Sequence, residues 1–182
     1  EQVIEAAICI VREEGFSALT ARALGNRLGS SARPVFTAFQ SMEEVQEAVV
    51  SRARELYGEY VERGLSEELP FRGVGTQYIL FSIREPKLFQ LLFMKEQGQV
   101  PEFSRVLPLI EDNYEKILFS IVQSYGLKEA AAERLYRHLW IYSHGIAALC
   151  ATGMCRFTGD EIKEMLAEIC TGMLKKLRGE RQ

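Results

Sequence analysis

The sequence has few of the residues and motifs that build metal centres, disulfide frameworks or catalytic sites. It holds only two histidines, His138 and His144, and its four cysteines show no Cys-x-x-Cys spacing: Cys9, Cys150, Cys155 and Cys170. Neither a glycine-rich phosphate loop nor a Gly-x-Ser-x-Gly motif occurs. We therefore expect a protein that is not an enzyme, without bound metal or cofactor, whose thiols are reduced and mostly buried.

Long apolar runs and clusters of basic residues are also absent. No run approaches the roughly 18 apolar residues that cross a bilayer, and residues 1–11 lack the positive flank of an export signal. We expect a cytoplasmic protein with no membrane partner. The net charge of −3 and the pI near 5.6 argue against non-specific coating of nucleic acid, but they leave room for a small DNA-reading surface.

What the chain does have is helical periodicity along nearly its whole length. With 47% hydrophobic and 26% charged residues, its composition is typical of a soluble globular protein. Helix starts are marked by first-turn prolines and by Ser/Thr-x-x-Glu capping boxes: Pro70, Pro86, Ser41 with Glu44, and Thr158 with Glu161. One helix, which Pro108 either opens or kinks, is predicted to run through Tyr114, Ile117 and Ile121 to Gly126. The pattern predicts an all-α protein of about nine helices.

Residues 20–39 fit two short helices joined by a tight turn. Thr20 is placed to cap a helix from about Ala21 to Leu28, and Gly29 permits a turn before a second helix from about Ala32 to Ala38. Three apolar residues are predicted to bury one side of that second helix: Val35, Phe36 and Phe39. Its opposite side is then free to enter a DNA groove, as in a helix-turn-helix.

The run Leu24-Gly-Asn-Arg-Leu-Gly-Ser-Ser-Ala-Arg-Pro-Val-Phe-Thr-Ala-Phe-Gln-Ser-Met-Glu-Glu-Val45 resembles the signature of the TetR family, I-A-x-x-A-G-V-S-x-G-x-L-Y-x-Y-F-x-x-K-E-x-L. The two are identical at Gly29, Ser31, Phe39 and Glu43. The similarity covers about the first 50 residues. It implies a helix-turn-helix DNA-binding domain over residues 1–46 and a ligand-binding and dimerisation domain over residues 47–182.

The resemblance also implies which residues contact a double-stranded DNA operator. Arg33 and Thr37 are expected to reach base edges, with Ala32 and Pro34 beside them on the same helix. Phosphate contacts are expected from four residues around the turn: Thr20, Arg22, Arg27 and Ser31. For Arg22 and Arg27 a solvated helix face remains the alternative.

Two features depart from the family pattern. Residues 1–50 contain four arginines, no lysine and seven glutamates, so this segment has a net charge of −3, which is unusual for a DNA-binding face. Met42 stands where the family signature has lysine. Two interpretations stay open: residues upstream of Glu1 restore the positive charge, or the chain is a TetR-like dimer that binds a ligand or a protein partner, with weak or lost DNA binding.

The body of the chain is rich in large apolar and aromatic side chains. The family implies a cavity for a small hydrophobic or aromatic effector there, for which six residues are candidates: Tyr78, Phe81, Phe93, Tyr114, Trp140 and His144. The segment Trp140-x-x-x-His144-Gly145 resembles a Trp-His-Gly branch of TetR-like C-terminal domains. Its histidine is expected either to face the ligand or to bond a backbone carbonyl, and its glycine predicts close packing of another helix.

The last two predicted helices, from about Lys128 to Thr152 and from Thr158 onward, carry more small and apolar residues than one core-facing stripe needs. By the resemblance, these helices form a homodimer. Such a dimer would present two recognition helices to a palindromic site. The sequence thus predicts a transcriptional regulator, a repressor that a small molecule releases from its operator.

Overall fold

A computed structural model describes residues 1–29, 33–96 and 100–179, including every side chain in these ranges except those at positions 33 and 34. The described residues contain no strand, and the all-α prediction is confirmed. They form ten α-helices: α1 (Gln2–Glu14), α2 (Ala21–Arg27), α3 (Arg33–Ala38), α4 (Met42–Leu65), α5 (Pro70–Arg84), α6 (Pro86–Phe93), α7 (Val106–Ile110), α8 (Tyr114–Tyr125), α9 (Glu129–Ala151) and α10 (Gly159–Gly179). Phe16–Ala18 and Phe103–Arg105 form short 3-10 helices.

The predicted helix from Pro108 to Gly126 is wrong in one respect, because it is divided. The chain leaves the helical conformation at Glu111, whose φ is −114° and ψ is 102°. The Glu111 carboxylate accepts a hydrogen bond of 3.0 Å from the backbone N–H of Asn113. This side chain therefore satisfies a backbone donor that a continuous helix would have used, which explains why α7 and α8 are separate helices.

Local capping residues determine where two of the long helices begin. At the start of α10 the Thr158 hydroxyl accepts from the Glu161 N–H at 3.2 Å, and the Glu161 carboxylate accepts from the Thr158 N–H at 2.7 Å. The Glu161 carboxylate has its pKa lowered by that backbone hydrogen bond. At α4 the Ser41 hydroxyl accepts from the Glu44 N–H at 3.3 Å, while the Glu44 carboxylate accepts from the Gln40 N–H at 2.6 Å. The capping box of Thr158 with Glu161 is therefore confirmed, whereas that of Ser41 with Glu44 is present only in its Ser41 half.

The helices group into two compact units. The first comprises Glu1–Tyr57 and Glu85–Glu96, and the second comprises Gly58–Arg84 and the described residues from Val100 onward. In the first unit α1 packs against α6 and α2, and the Arg12 guanidinium donates to both carboxylate oxygens of Glu85 at 2.9 and 2.8 Å. The predicted boundary between residues 46 and 47 separates a DNA-binding domain from a ligand-binding and dimerisation domain. This is a division by function, and it stays a prediction.

The second unit is built around α5, which packs against α8, α9 and α10. Its core consists of side chains that are at most 1% exposed: Phe81, Leu107, Ile117, Ile121, Leu135 and Ile162. Burial of such side chains stabilises a fold by about 1.5–3 kcal/mol each before entropic costs. The α5 and α9 helices are thus fixed by a shared apolar core, and polar side chains between them are held in place.

The end of α4 and the start of α5 meet through two glycines. A Cβ atom added at Gly64 would lie 2.6 Å from the backbone nitrogen of Val74, and one added at Gly73 would clash with the carbonyl oxygen of Gly64. Both clashes involve backbone, which cannot rotate away as a side chain does. Only glycine allows the two helices to approach this closely.

No helix in the described part of the chain combines the length and the apolar content that crossing a membrane requires. The same residues hold no group of three or more His, Cys, Asp or Glu side chains arranged to bind a metal ion. All four cysteines are free, but only Cys170 is buried and Cys155 is exposed, so the prediction of mostly buried thiols is wrong.

Candidate functional site

The segment predicted to be a helix-turn-helix contains two short helices flanking a turn. The Thr20 hydroxyl accepts a 3.1 Å hydrogen bond from the Ala23 N–H and so caps α2, as predicted. Gly29 has a φ of 66°, a left-handed conformation that favours glycine. The α2 and α3 helices contact each other, and Leu24 and Val35 are fully buried. Local capping, a glycine turn and apolar anchors thus position α3.

The exposed side of α3 differs from the sequence-based expectation at one residue. Val35 is buried and Phe39 is half-buried, as predicted, whereas Phe36 is 49% exposed. Successive helical residues are rotated by about 100°, so a helix of six residues points few side chains directly at the helix it packs against. In α3 the side chain that does so is Val35. Thr37 is exposed, on the side where DNA contact is expected.

Four of the proposed DNA-contacting residues lie wholly or partly outside the described structure. Ser31 and Ala32 lie outside the described residues. Arg33 and Pro34 form the first turn of α3, but their side chains also lie outside the described part of the structure. Residues 33 and 37 are four apart, which places them on one face of the helix. The base-reading role of all four stays a prediction.

The other proposed phosphate contacts lie together on the surface of the first unit. Thr20, Arg22 and Arg27 line one shallow depression, which Glu14 and Asn26 also border. Arg27 differs from Arg22 in its ion pairing. The Arg27 guanidinium donates to both carboxylate oxygens of Glu13, a residue near the end of α1, at 2.5 and 2.6 Å. This guanidinium lowers the pKa of Glu13, and Arg27 is therefore already paired with a carboxylate in the absence of DNA.

In the second unit, three of the six proposed ligand residues form one hydrogen-bonded group, called here the Tyr78 cluster: Tyr78, Trp140 and His144. The Tyr78 hydroxyl lies 2.9 Å from Nδ1 of His144, and the Trp140 side chain also hydrogen bonds to this hydroxyl. The Trp140 and His144 rings stack with centroids 5.3 Å apart. The predicted shared face of Trp140 and His144 is present, and one partner of His144 is the Tyr78 side chain.

Trp140 and His144 both hydrogen bond to the Tyr78 hydroxyl. The indole N–H of Trp140 can only donate, so it donates to the Tyr78 oxygen. The direction of the hydrogen bond between Tyr78 and Nδ1 of His144 is set by the His144 tautomer, because a phenol oxygen can accept a second hydrogen bond as well as donate one. Burial lowers the pKa of His144, which favours the neutral ring.

Glu111, which the sequence did not single out, places a buried acidic group beside this cluster. Glu111 is 7% exposed. Burial raises the pKa of Tyr78 and of Tyr136, and the negative charge of Glu111 raises both further. No local signal marks this residue, because a glutamate in a polar Glu-Asp-Asn run ordinarily indicates an exposed loop.

The remaining three proposed ligand residues are placed differently. The Tyr114 ring stacks on Tyr136 with centroids 5.6 Å apart, and its hydroxyl donates to Glu133 at 3.4 Å. Phe81 is fully buried in the core. Phe93 belongs to the first compact unit, where it packs against Tyr57 and Phe89. Tyr114 therefore extends the aromatic group through Tyr136, whereas the ligand roles of Phe81 and Phe93 stay predictions.

Substituting phenylalanine for Tyr78 is expected to lower the free energy of unfolding by about 1–3 kcal/mol. The change leaves the Trp140 N–H and the His144 Nδ1 without their shared hydroxyl in a buried setting. Tyr142→Phe is the matched control, because Tyr142 lies on α9 between the two ring partners and makes no hydrogen bond to another described residue; it should change stability by no more than about 0.5 kcal/mol. Equal effects of both variants in urea unfolding would rule out the hydrogen-bonded cluster.

One face of α9 is apolar and exposed. Ile141 is 47% exposed, Leu149 is 36% exposed, and the exposed Gly145 lies between them at helical spacing of four residues. The predicted close packing at Gly145 is wrong within the described chain, where a Cβ atom added there would meet no atom within 4 Å. This face therefore has no explanation in the packing of the described subunit.

Comparisons with known proteins agree with this architecture. The chain matches a family model described as "Tetracyclin repressor-like, C-terminal domain" over residues 71–173, which is more than half of its length. Among solved structures it is similar to the "Clostridium perfringens putative fatty acid metabolism regulator", with a TM-score of 0.65 and 16% identity over 96% of this chain and 97% of that one. At this identity the match shows a shared fold. No curated protein sequence matches the chain.

Proposed function

The chain belongs to the tetracyclin repressor-like family of transcriptional regulators, and on that premise we propose that it is a repressor that a small molecule releases from a palindromic DNA operator. The observation that carries the proposal is the α2–turn–α3 segment. It is capped by Thr20, anchored by Val35, and presents Thr37 outward. This is the arrangement that allows a recognition helix to enter a major groove.

DNA contacts in this proposal divide into base reading and backbone positioning. Arg33 and Thr37 of α3 read base edges, flanked by Ala32 and Pro34. Thr20, Arg22, Arg27 and Ser31 hold phosphates. The clustering of Thr20, Arg22 and Arg27 around one surface depression supports the second group.

The Tyr78 cluster is the centre of the proposed effector site, with Tyr114 at its side and with Phe81 and Phe93 as further proposed lining residues. Aromatic rings favour a small hydrophobic or aromatic molecule. Burial lowers the pKa of His144, and a neutral ring makes a dianion a poor match.

Dimerisation through α9 and α10 completes the proposal. The exposed stripe of Ile141, Gly145 and Leu149 supports it. A glycine in the middle of a helix costs about 1 kcal/mol relative to alanine, and the close approach of a helix from a second subunit would explain why glycine stands there. A two-fold dimer presents two α3 helices to two half-sites. Since α4 contributes residues to both compact units, an effector that displaces α4 would alter the spacing of those helices.

A second candidate function keeps the fold and the dimer but not the DNA binding. The ion pair between Arg27 and Glu13, together with the net charge of −3 over residues 1–50, favours it. In that case the chain is a helical dimer that binds a ligand or a protein partner. Fluorescence anisotropy distinguishes the two, with a duplex from the upstream region of its own gene and a scrambled duplex of equal length.

The repressor proposal predicts binding that is about 1,000-fold tighter or more for the upstream duplex than for the scrambled one. Equal affinity for the two duplexes would contradict it and favour the second candidate. Purified protein should also lose the upstream duplex when the effector is added, since a repressor that is released must have two states of different DNA affinity.

Glu13→Gln is expected to raise affinity for the upstream duplex about two- to fivefold. The amide no longer neutralises the Arg27 guanidinium, which becomes available to phosphate, and the gain is small because the ion pair is exposed to solvent. Glu47→Gln removes the same charge from α4 at an exposed position without an ion pair to another described residue. If both variants raise affinity equally, the gain comes from net charge alone and Arg27 is not a specific contact.

A further inference from the structure

The second unit contains a half-open cavity that the proposed effector site does not include. It has a volume of about 200 Å³ and lies between the chain segment after α4, the first two turns of α5, and α10. Its wall includes six residues that matter here: Glu67, Glu68, Arg72, Thr76, Lys163 and Leu166. At about 30 Å³ for each water molecule in the liquid, the space corresponds to roughly seven waters. A ligand of this size is a small metabolite, below the range of drug-sized pockets.

The charges on the cavity wall are balanced but mixed. Arg72 and Lys163 contribute two positive groups, and Glu67 and Glu68 contribute two negative groups. A simple anion would meet the carboxylates, and a simple cation would meet the guanidinium and the ammonium. Electrostatic complementarity therefore favours a ligand that carries one charge of each sign.

The positive groups of the cavity have unused bonding capacity. Arg72 is half-buried and forms no ion pair or side-chain hydrogen bond with another described residue. Burial raises the pKa of Tyr125 and of Cys170, and the Arg72 charge offsets part of each rise. Lys163 likewise forms no ion pair within the described chain. A planar guanidinium matches a carboxylate through two parallel hydrogen bonds.

The negative side of the cavity is also suited to a ligand. Glu67 accepts a long bond of 3.4 Å from the Gln77 side chain, and both Glu67 and Glu68 are exposed. The Thr76 hydroxyl donates to the Arg72 carbonyl oxygen at 3.0 Å, which leaves the oxygen of Thr76 able to accept. Two carboxylates and a hydroxyl oxygen are acceptors for an ammonium group.

From this arrangement we propose that the cavity binds a small zwitterion of the α-amino acid type, with its carboxylate between Arg72 and Lys163 and its ammonium toward Glu67 and Glu68. Arg72, Thr76 and Lys163 lie in the family-matched residues 71–173, whereas Glu67 and Glu68 precede them. The site does not depend on DNA binding. It is separate from the Tyr78 cluster. A ligand there touches the junction that follows α4 as well as α10, so it is placed to modify the response to the effector.

Alanine, propionate and ethylamine test the charge requirement, because propionate lacks the ammonium of alanine and ethylamine lacks its carboxylate. Titration of the full chain, followed by the amide NMR signals of α5 and α10, should show saturable binding of alanine. At the same concentrations, propionate and ethylamine should bind at least about tenfold more weakly, since each loses charge-assisted hydrogen bonds. Binding of propionate as tight as that of alanine would overturn the proposal, as would the absence of saturable alanine binding.

Substitutions locate the site. Arg72→Gln and Lys163→Gln should each weaken alanine binding about tenfold or more. Arg84→Gln on α5 and Lys175→Gln on α10 remove the same charge at exposed positions outside the cavity and should leave binding unchanged. Alanine binding that survives both cavity substitutions would place the zwitterion elsewhere and contradict the proposal. Since none of these readouts involves DNA, failure of the operator experiment leaves them interpretable.

Discussion

Replacing Gly64 with alanine should lower the free energy of unfolding by about 1–3 kcal/mol. The added methyl group would lie 2.6 Å from the backbone nitrogen and 2.7 Å from the Cα atom of Val74. Helix propensity alone favours alanine over glycine by about 1 kcal/mol within α4, so the clash must exceed that gain to destabilise the protein. Because the opposing atoms are backbone, relief requires α4 and α5 to separate and to lose packing.

Gly58→Ala is the matched control for this substitution. Gly58 also lies within α4, and a Cβ atom there would meet no atom of the described chain within 4 Å. It should therefore raise the free energy of unfolding, by up to about 1 kcal/mol. Urea unfolding of the two variants measures both effects. Stabilisation by both substitutions would show that the close approach at Gly64 is not required by the fold.

Arg33→Ala should weaken binding to the upstream duplex by about 10- to 100-fold. An arginine that donates two hydrogen bonds to a guanine edge contributes about 1–3 kcal/mol of discrimination, and position 33 shares a helix face with the exposed Thr37. Binding to the scrambled duplex should fall much less, because base edges are not read there. Anisotropy titrations on both duplexes give the ratio that distinguishes a base contact from a phosphate contact.

Arg33→Lys and Arg22→Gln are informative companions to that experiment. Lysine keeps the charge but cannot form the paired hydrogen bonds, so Arg33→Lys should also lose discrimination between the duplexes. Arg22→Gln, at a proposed phosphate contact, should weaken binding to both duplexes by a similar factor. Unchanged binding by Arg33→Ala would remove Arg33 from the DNA interface and leave Thr37 as the remaining base-reading candidate on α3.

Features that depend on neighbouring residues were predictable from the sequence. The Thr20 cap and the box of Thr158 with Glu161 each involve residues three apart, so sequence spacing determines their geometry. The shared face of Trp140 and His144 follows in the same way from a separation of four. Helix type and many of the helix boundaries were therefore accessible without coordinates.

Features that depend on distant residues were not predictable. Tyr78 is 66 positions from His144, and no periodicity connects them. Arg27 and Glu13 lie 14 positions apart on different helices. The exposure of Phe36 depends on how α3 rests on α2, and the break at Glu111 depends on a side chain that competes with helical hydrogen bonding. In each case the partner, the exposure or the helix break depends on tertiary packing, which the local sequence does not determine.

In the proposed DNA complex, the contact between Arg27 and Glu13 would make phosphate binding by this arginine an exchange of partners instead of a simple addition. A phosphate that binds the Arg27 guanidinium displaces the Glu13 carboxylate. The carboxylate then takes up a cation from solution, while the DNA duplex releases one. Counterion uptake and release nearly cancel at this position. A count of phosphate contacts taken from the slope of affinity against salt concentration will therefore fall about one short of the contacts present in the complex.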